Sequence, residues 1–138
     1  MKNLLCIFAF IIAFKSESFG QKKQHKIVFE LVSADTADHS SVLRQVNNVL
    51  REAPDTKIEI VFHGKAIYAL IKDKTTIREK LDSLAGTKKV IVAACNNSLT
   101  RFNLNKEDVI PSAIIVPVAI LELVKKQEQG WSYIKAGH

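Results

Sequence analysis

Four short, almost uninterrupted apolar runs constrain the fold of this chain more than any other feature of its sequence. The runs are Ile27–Val32, Ile58–Phe62, Val90–Ala94 and Ala113–Val116. Each has the length and the β-branched content of a strand, and continuous apolar character is typical of strands that are covered on both faces. The sequence therefore predicts a parallel α/β sheet. Trp131–Lys135 alternates more and is interpreted as a last strand nearer an edge.

Helical patterns fill the intervals between these runs. Val42, Val46 and Val49 repeat at helical spacing, and Pro54 ends that pattern. Thr76–Glu79 has the sequence of a capping box and predicts the start of another helix.

The other helix boundaries rest on glycine, proline and short apolar segments. Gly86 is expected to end the capped helix in a left-handed conformation. Ala66–Ile71 is short and apolar and is interpreted as a helix, and Pro117 is expected to open the last helix. The predicted order is β-α-β-α-α-β-α-β-α-β in one three-layer α/β/α domain.

Residues 1–20 have the features of a secretory signal peptide. The apolar run Leu4–Phe14 follows a basic start and precedes a small-x-small cleavage site that ends at Gly20. A membrane-spanning helix needs about 20 apolar residues, roughly twice this run. An uncleaved interfacial anchor is the alternative. We expect cleavage to release residues 21–138 as a single periplasmic or secreted domain that is not attached to a membrane.

Charge and residue spacing exclude several classes of function. The net charge is +6, but the 20 basic residues are scattered and are not interleaved with aromatic residues, so no nucleic-acid partner is expected. The five glycines are too far apart to form a phosphate-binding loop. The histidines are also far apart, and no cluster has metal-ligand spacing. We therefore expect neither a metal nor another cofactor.

The carboxyl ends of parallel strands share one edge of a sheet, and α/β proteins place their sites there. Three polar sets are expected at that edge: Asp35, Asp38 and His39 after the first run, His63 and Gly64 after the second, and Cys95, Asn96, Asn97 and Ser98 after the third. The first set is expected to cap a helix.

Cys95 is the candidate nucleophile. A thiol at a helix N-terminus faces unpaired N–H groups and the positive end of the dipole, which favour the thiolate. His63 could donate a hydrogen bond to that thiolate or shuttle a proton, Gly64 would let its loop approach, and backbone N–H groups near Asn97 would stabilise the charge. Cys6 lies in the leader, so cleavage leaves one cysteine and excludes an internal dithiol cycle. A packing role for Cys95 and a loop-stabilising role for His63 are the alternatives.

The segment Val92–Ser98 resembles the cysteine segment of the DsrE/DsrF-like family, which includes sulfur-relay subunits. Val61–Gly64 resembles the second-strand motif of that family. The C-terminal segment of the family is similar to Val116–Leu123 together with Gln127, Gly130, Trp131 and Tyr133–Lys135. This resemblance implies a three-layer α/β fold with a five-stranded, mainly parallel sheet, and assembly into homo-oligomers, commonly trimers or hexamers. In relay members the cysteine aligned with Cys95 carries a persulfide.

Two functional hypotheses follow. In the first, the chain is an exported thiol carrier in which Cys95 accepts sulfane sulfur as a persulfide and passes it to an acceptor protein or a small thiol. In the second, it is a non-catalytic homo-oligomeric module that binds at the same sheet edge, with Cys95 as a packing residue. The sequence leaves both open, and with them whether the protein is an enzyme.

Overall fold

The computed structural model describes residues 24–137, which form a five-stranded sheet with helices on both faces. The strands are β1 (Lys26–Leu31), β2 (Lys57–Phe62), β3 (Val90–Cys95), β4 (Ala113–Val116) and β5 (Ser132–Ala136). The α-helices are α1 (Thr36–Glu52), α2 (Arg78–Gly86), α3 (Asn96–Arg101) and α4 (Ala119–Glu128), and two 3₁₀ helices span Gly64–Leu70 and Lys106–Asp108. The predicted signal peptide, with Cys6, lies outside the described residues.

All neighbouring strands of the sheet are parallel, in the order β4-β3-β2-β1-β5. This arrangement confirms the predicted α/β class and the five-stranded parallel sheet. The predicted edge position of the last strand is also correct, since β5 pairs with β1 alone and four of its five residues are exposed.

The two faces of the sheet are covered unequally. On one face, α1, α2, α3 and the first 3₁₀ helix enclose a large core that contains Phe29, Phe62 and Leu81, all almost completely buried. On the other face, a smaller apolar cluster lies between the sheet and two buried residues of α4, Ala119 and Leu123. Among the described residues, α4 is the one α-helix that contributes to this second cluster.

A buried ion pair fixes the second half of α4 on its face of the sheet. Glu59 of β2 is fully buried, and Lys126 Nζ lies 2.5 Å from its Oε2. The same ammonium group lies 3.5 Å from Glu122 Oε1 and 4.6 Å from the centroid of the Trp131 ring. Burial raises the pKa of the Glu59 carboxyl, although the Lys126 ammonium acts in the opposite direction.

The start and end of α2 differ from the predicted positions. The capping box at Thr76–Glu79 does not form, because Thr75 Oγ1 accepts the N–H of Ile77 at 3.3 Å and the helix begins at Arg78. Gly86 does not adopt a left-handed conformation, since the turn continues through Thr87, whose hydroxyl donates to Leu84 O at 2.6 Å. The left-handed residue is Lys88, with φ 58°.

Two other predicted helices were partly wrong. The segment Ala66–Ile71 forms a 3₁₀ helix that begins at Gly64 and ends at Leu70, and it is not an α-helix. Pro117 does not open α4, because the next residue, Val118, has an extended backbone and is the N-cap, so the helix begins at Ala119. Within residues 24–137, no helix has both the length and the apolar character needed to cross a membrane.

Lys126→Met should lower the free energy of unfolding near pH 7 by about 3 kcal/mol, because it leaves the Glu59 carboxylate buried without its cation. Lys125→Met, at an exposed neighbouring position, should change it by less than about 0.5 kcal/mol. Urea unfolding of the two variants measures the difference.

The difference in the free energy of unfolding between wild type and Lys126→Met should become smaller as the pH falls. A carboxyl whose pKa is higher in the folded state than in the unfolded state binds its proton more tightly when folded, so acid favours the folded variant. Equal stability of the two variants near pH 7 would contradict the anchoring role of the pair.

Candidate functional site

Cys95 ends β3 and is the N-cap residue of α3, but its sulfur does not bond to that helix. Instead, Cys95 Sγ accepts the N–H of Ala119, the first residue of α4, at 3.3 Å. The expectation that the helix following Cys95 would face the sulfur was therefore wrong, because the contact comes from α4. That contact bridges 24 residues of sequence and depends on how α4 packs on the sheet.

Cys95 is a free cysteine with only 3% of its surface exposed. It belongs to the apolar cluster beneath α4, whose other buried members are Val28, Val61, Ala93, Val116, Ala119 and Leu123. The sulfur thus lies in an apolar environment with one backbone N–H directed at it. The residue bonded to the sulfur, Ala119, belongs to the first turn of α4.

Gly64 and Ser98 join the loops that follow β2 and β3. The N–H of Gly64 donates to Ser98 Oγ at 2.9 Å, and Ser98 is buried. Gly64 has φ 54°, and an added Cβ would lie 2.8 Å from Val32 Cγ1. This position requires glycine because of both its left-handed backbone and the close approach of Val32.

The asparagines after Cys95 do not bind its sulfur. The N–H of Asn97 donates to Pro117 O at 3.2 Å, so it is not directed at Cys95 as expected. The Asn97 side chain is exposed, and Asn96 is half-buried. The role of Asn97 in the structure is to connect the start of α3 to the segment that leads into α4.

His63 binds Glu30 and makes no hydrogen bond to Cys95. Its Nε2 lies 2.7 Å from Glu30 Oε1, and the hydroxyl of Tyr133 donates to Glu30 Oε2. Phe62 of β2 is paired with Ala94 of β3, so His63 and Cys95 occupy the next position along these neighbouring strands. The backbones of neighbouring strands lie about 5 Å apart.

Glu30 and Tyr133 are site residues that the sequence reasoning missed. Glu30 does carry a signal, since it is a carboxylate within an otherwise apolar strand run. Tyr133 carries none, because it is separated from Glu30 by 103 positions and meets it only through the pairing of β1 with β5.

The protonation of this cluster follows from its hydrogen bonds. Burial opposes ionisation of Glu30, but hydrogen bonds from Tyr133 and His63 and the charges of His63 and Lys135 outweigh it and lower the pKa of Glu30. The hydrogen bond to Glu30 raises the pKa of Tyr133 to about 12. Near neutral pH, Glu30 is therefore a carboxylate that only accepts hydrogen bonds, so His63 Nε2 must donate.

Of the three polar residues predicted to cap α1, Asp35 caps it, whereas Asp38 and His39 lie within the helix and are buried. Asp35 is the N-cap residue, and its Oδ1 accepts the N–H of Ala37 at 2.8 Å, as predicted. His39 Nε2 lies 2.8 Å from Ser33 O and holds the preceding loop. Across residues 24–137, no three His, Cys, Asp or Glu side chains are grouped so that they could hold a metal ion.

The sequence matches the profile of the DsrE/DsrF-like family over residues 11–136. No curated protein matches it. Among solved structures, protein MTH1491 from Methanobacterium thermoautotrophicum, a protein of unknown function, has a TM-score of 0.77 at 22% identity, with 81% of this chain and 99% of that chain covered.

Two other solved structures share the fold. The ychN protein from E. coli has a TM-score of 0.66 at 11% identity, with 82% of this chain and 99% of that chain covered. BT1422 from Bacteroides thetaiotaomicron, a conserved protein of unknown function, has a TM-score of 0.64 at 13% identity, with 80% and 93% covered. At these identities, the structural similarity shows the fold alone.

Gly64→Ala should lower the free energy of unfolding by about 1–3 kcal/mol, because it forces alanine into a left-handed conformation against Val32. Gly86→Ala is the matched control. No atom lies within 4 Å of the Cβ it would add, and an alanine in α2 should stabilise the protein by about 0.5–1 kcal/mol. Urea unfolding compares the two. A Gly64→Ala protein as stable as wild type would show that the loop does not need this backbone conformation.

Proposed function

This chain belongs to the DsrE/DsrF-like family, and on that premise we propose that it is a thiol carrier in which Cys95 holds transferred sulfur as a persulfide. Membership of the family suggests a role related to sulfur relay. The observation that supports a persulfide on Cys95 is the hydrogen bond of 3.3 Å that Cys95 Sγ accepts from the N–H of Ala119. A donor at the N-terminus of a helix stabilises negative charge, and sulfur transfer places negative charge on this sulfur.

The proposed transfer needs no external oxidant or reductant. The Cys95 thiolate attacks the outer sulfur of a donor persulfide or polysulfide, a new S–S bond forms, and the S–S bond of the donor breaks to release a thiolate. In the second step, an acceptor thiolate attacks the outer sulfur on Cys95, and Cys95 leaves as a thiolate. The sulfane sulfur keeps its oxidation level in both steps.

The persulfide would be protected in this fold. Cys95 is the one cysteine of residues 24–137, so within them no second thiol can convert the persulfide into a disulfide. Burial under α4 limits collisions with oxidised thiols in solution. We propose that loading occurs when the first turn of α4 opens while Lys126 holds the second half of the helix on the sheet.

The second candidate function is a non-catalytic binding module in which Cys95 is a packing residue. The observation that favours it is the burial of Cys95 among aliphatic side chains. The two candidates differ in one property, which is whether the folded protein exposes a reactive thiol.

We also propose that the protein is exported and assembles with further copies of itself, as a trimer or hexamer. Export is supported by the leader sequence. Assembly is supported by four large apolar side chains on the α4 side of the sheet that are 43–55% exposed: Ile114, Ile120, Leu121 and Val124. We propose that a second copy of the chain binds to this surface, since the family resemblance implies homo-oligomers.

Cys95 should take up one sulfur atom from polysulfide and give it up to a small thiol. Intact-mass measurement of the folded protein should show a single added sulfur in wild type and none in Cys95→Ser. Gln127→Ser, at an exposed position of α4, is the control for a mutation that leaves the sulfur untouched. Identical behaviour of wild type and Cys95→Ser would support the binding module.

Native mass spectrometry of protein from the envelope fraction tests export and assembly together. The subunit mass should correspond to cleavage before Gln21, and the assembly mass to three or six subunits in line with the implied trimer or hexamer. Leu121→Lys should reduce the assembly to smaller species, because it places a charge on the exposed apolar surface. A full-length monomer from the cytoplasm would contradict both proposals.

A further inference from the structure

We propose that Glu30 and Tyr133 are positioning residues that hold His63 as the proton carrier for sulfur exchange at Cys95. This inference rests on the proposed sulfur-transfer function and names further residues that the same site would use. Two observations support it. Glu30 accepts hydrogen bonds from His63 and Tyr133, and the strand register places His63 beside Cys95.

Strand register brings the imidazole and the thiol to the same face of the sheet. Val61, two residues before His63, and Cys95 both belong to the apolar cluster beneath α4. Side chains two residues apart on a strand share a face, and the bond from His63 to Glu30 is consistent with that position. His63 therefore directly follows the strand next to that of Cys95, on the side of the sheet from which α4 contacts the sulfur.

Glu30 determines which nitrogen of His63 can exchange a proton. The carboxylate accepts Nε2–H at 2.7 Å, and this leaves Nδ1 as the nitrogen that can take up or release a proton. The Tyr133 hydroxyl occupies the other carboxylate oxygen, which keeps Oε1 directed to the imidazole. The two side chains of the pair are 17% and 14% exposed, so solvent does not replace this bond readily.

The proton that leaves Cys95 during sulfur transfer defines the roles of His63 and Glu30. His63 Nδ1 takes the proton from the Cys95 thiol, and the thiolate attacks the outer sulfur of the donor. As the S–S bond of the donor breaks, the imidazolium returns the proton to the departing thiolate. The sum is Cys95–SH plus R–S–SH giving Cys95–S–SH plus R–SH. Glu30 keeps its Nε2 hydrogen bond throughout and offsets the transient positive charge on the ring.

The titratable groups at Glu30 come from three parts of the sheet. His63 follows β2, Tyr133 and Lys135 belong to β5, and Glu30 itself lies on β1. The charged residues of α4 that point at the sheet, Glu122 and Lys126, pair with each other and with Glu59 instead. The charge that faces the His63 ring at hydrogen-bonding distance is therefore that of Glu30.

Disulfide probes with different leaving groups test this assignment on the full-length folded protein. A dialkyl disulfide releases a basic thiolate that needs a proton, whereas a nitrophenyl disulfide releases a stable thiolate that does not. In Glu30→Gln and His63→Gln, the ratio of the dialkyl rate to the nitrophenyl rate should fall about 10-fold relative to wild type, because proton transfer to the departing sulfur is lost. Tyr133→Phe should lower the ratio less, and Glu128→Gln, an exposed carboxylate of α4, should leave it unchanged.

The ratio of the dialkyl rate to the nitrophenyl rate distinguishes a loss of proton transfer from a change in access to Cys95. A variant that only changes access to Cys95 slows both probes equally and leaves the ratio at its wild-type value. If Glu30→Gln does not fold, Tyr133→Phe is the variant to measure. It should fold, because the Tyr133 side chain is 40% exposed. Sulfur uptake by wild type with unchanged ratios in the folded variants would overturn this inference alone. No sulfur uptake by folded wild type would overturn the proposed function, and this inference with it.

Discussion

The buried ion pair between Glu59 and Lys126 is the interaction on which the rest of this structure depends. It places a fully desolvated carboxylate beneath the one α-helix that covers that face of the sheet within residues 24–137. An unpaired charge there would cost several kcal/mol, so the carboxylate strongly favours the docked position of α4. The position of that helix in turn decides what lies above Cys95.

The candidate site is a consequence of this docking and of the strand register. The register of β2 and β3 places His63 beside Cys95, and the register of β1 and β5 brings Tyr133 to Glu30. The docked helix then supplies the N–H of Ala119 to the sulfur. The thiol thus lies at the N-terminus of α4, and the neighbouring His63 donates its Nε2–H to the Glu30 carboxylate.

The sequence was sufficient to predict the sheet, because continuous apolar runs reflect burial on both faces and burial is the property that the α/β fold imposes on its strands. It also predicted that His63, Gly64 and Cys95 meet at one edge, since parallel strands require this. The capping details at Thr76 and Gly86 could not be predicted, because the neighbouring residues Thr75 and Thr87 supply competing hydrogen bonds. The contacts of Cys95 with α4 and of Glu30 with Tyr133 join distant segments, and no local pattern encodes them.

We propose that Cys95 is a reactive thiol that is reached when the first turn of α4 opens locally, and that it is not a packing residue. The most direct test is the rate of Cys95 alkylation in the folded protein as a function of urea concentration. Local opening exposes little surface, so the rate at low urea should be nearly independent of urea and should rise only when global unfolding begins to dominate. A rate that increases from zero urea with the full slope of global unfolding would show that Cys95 reacts only in the unfolded chain, and it would contradict the account.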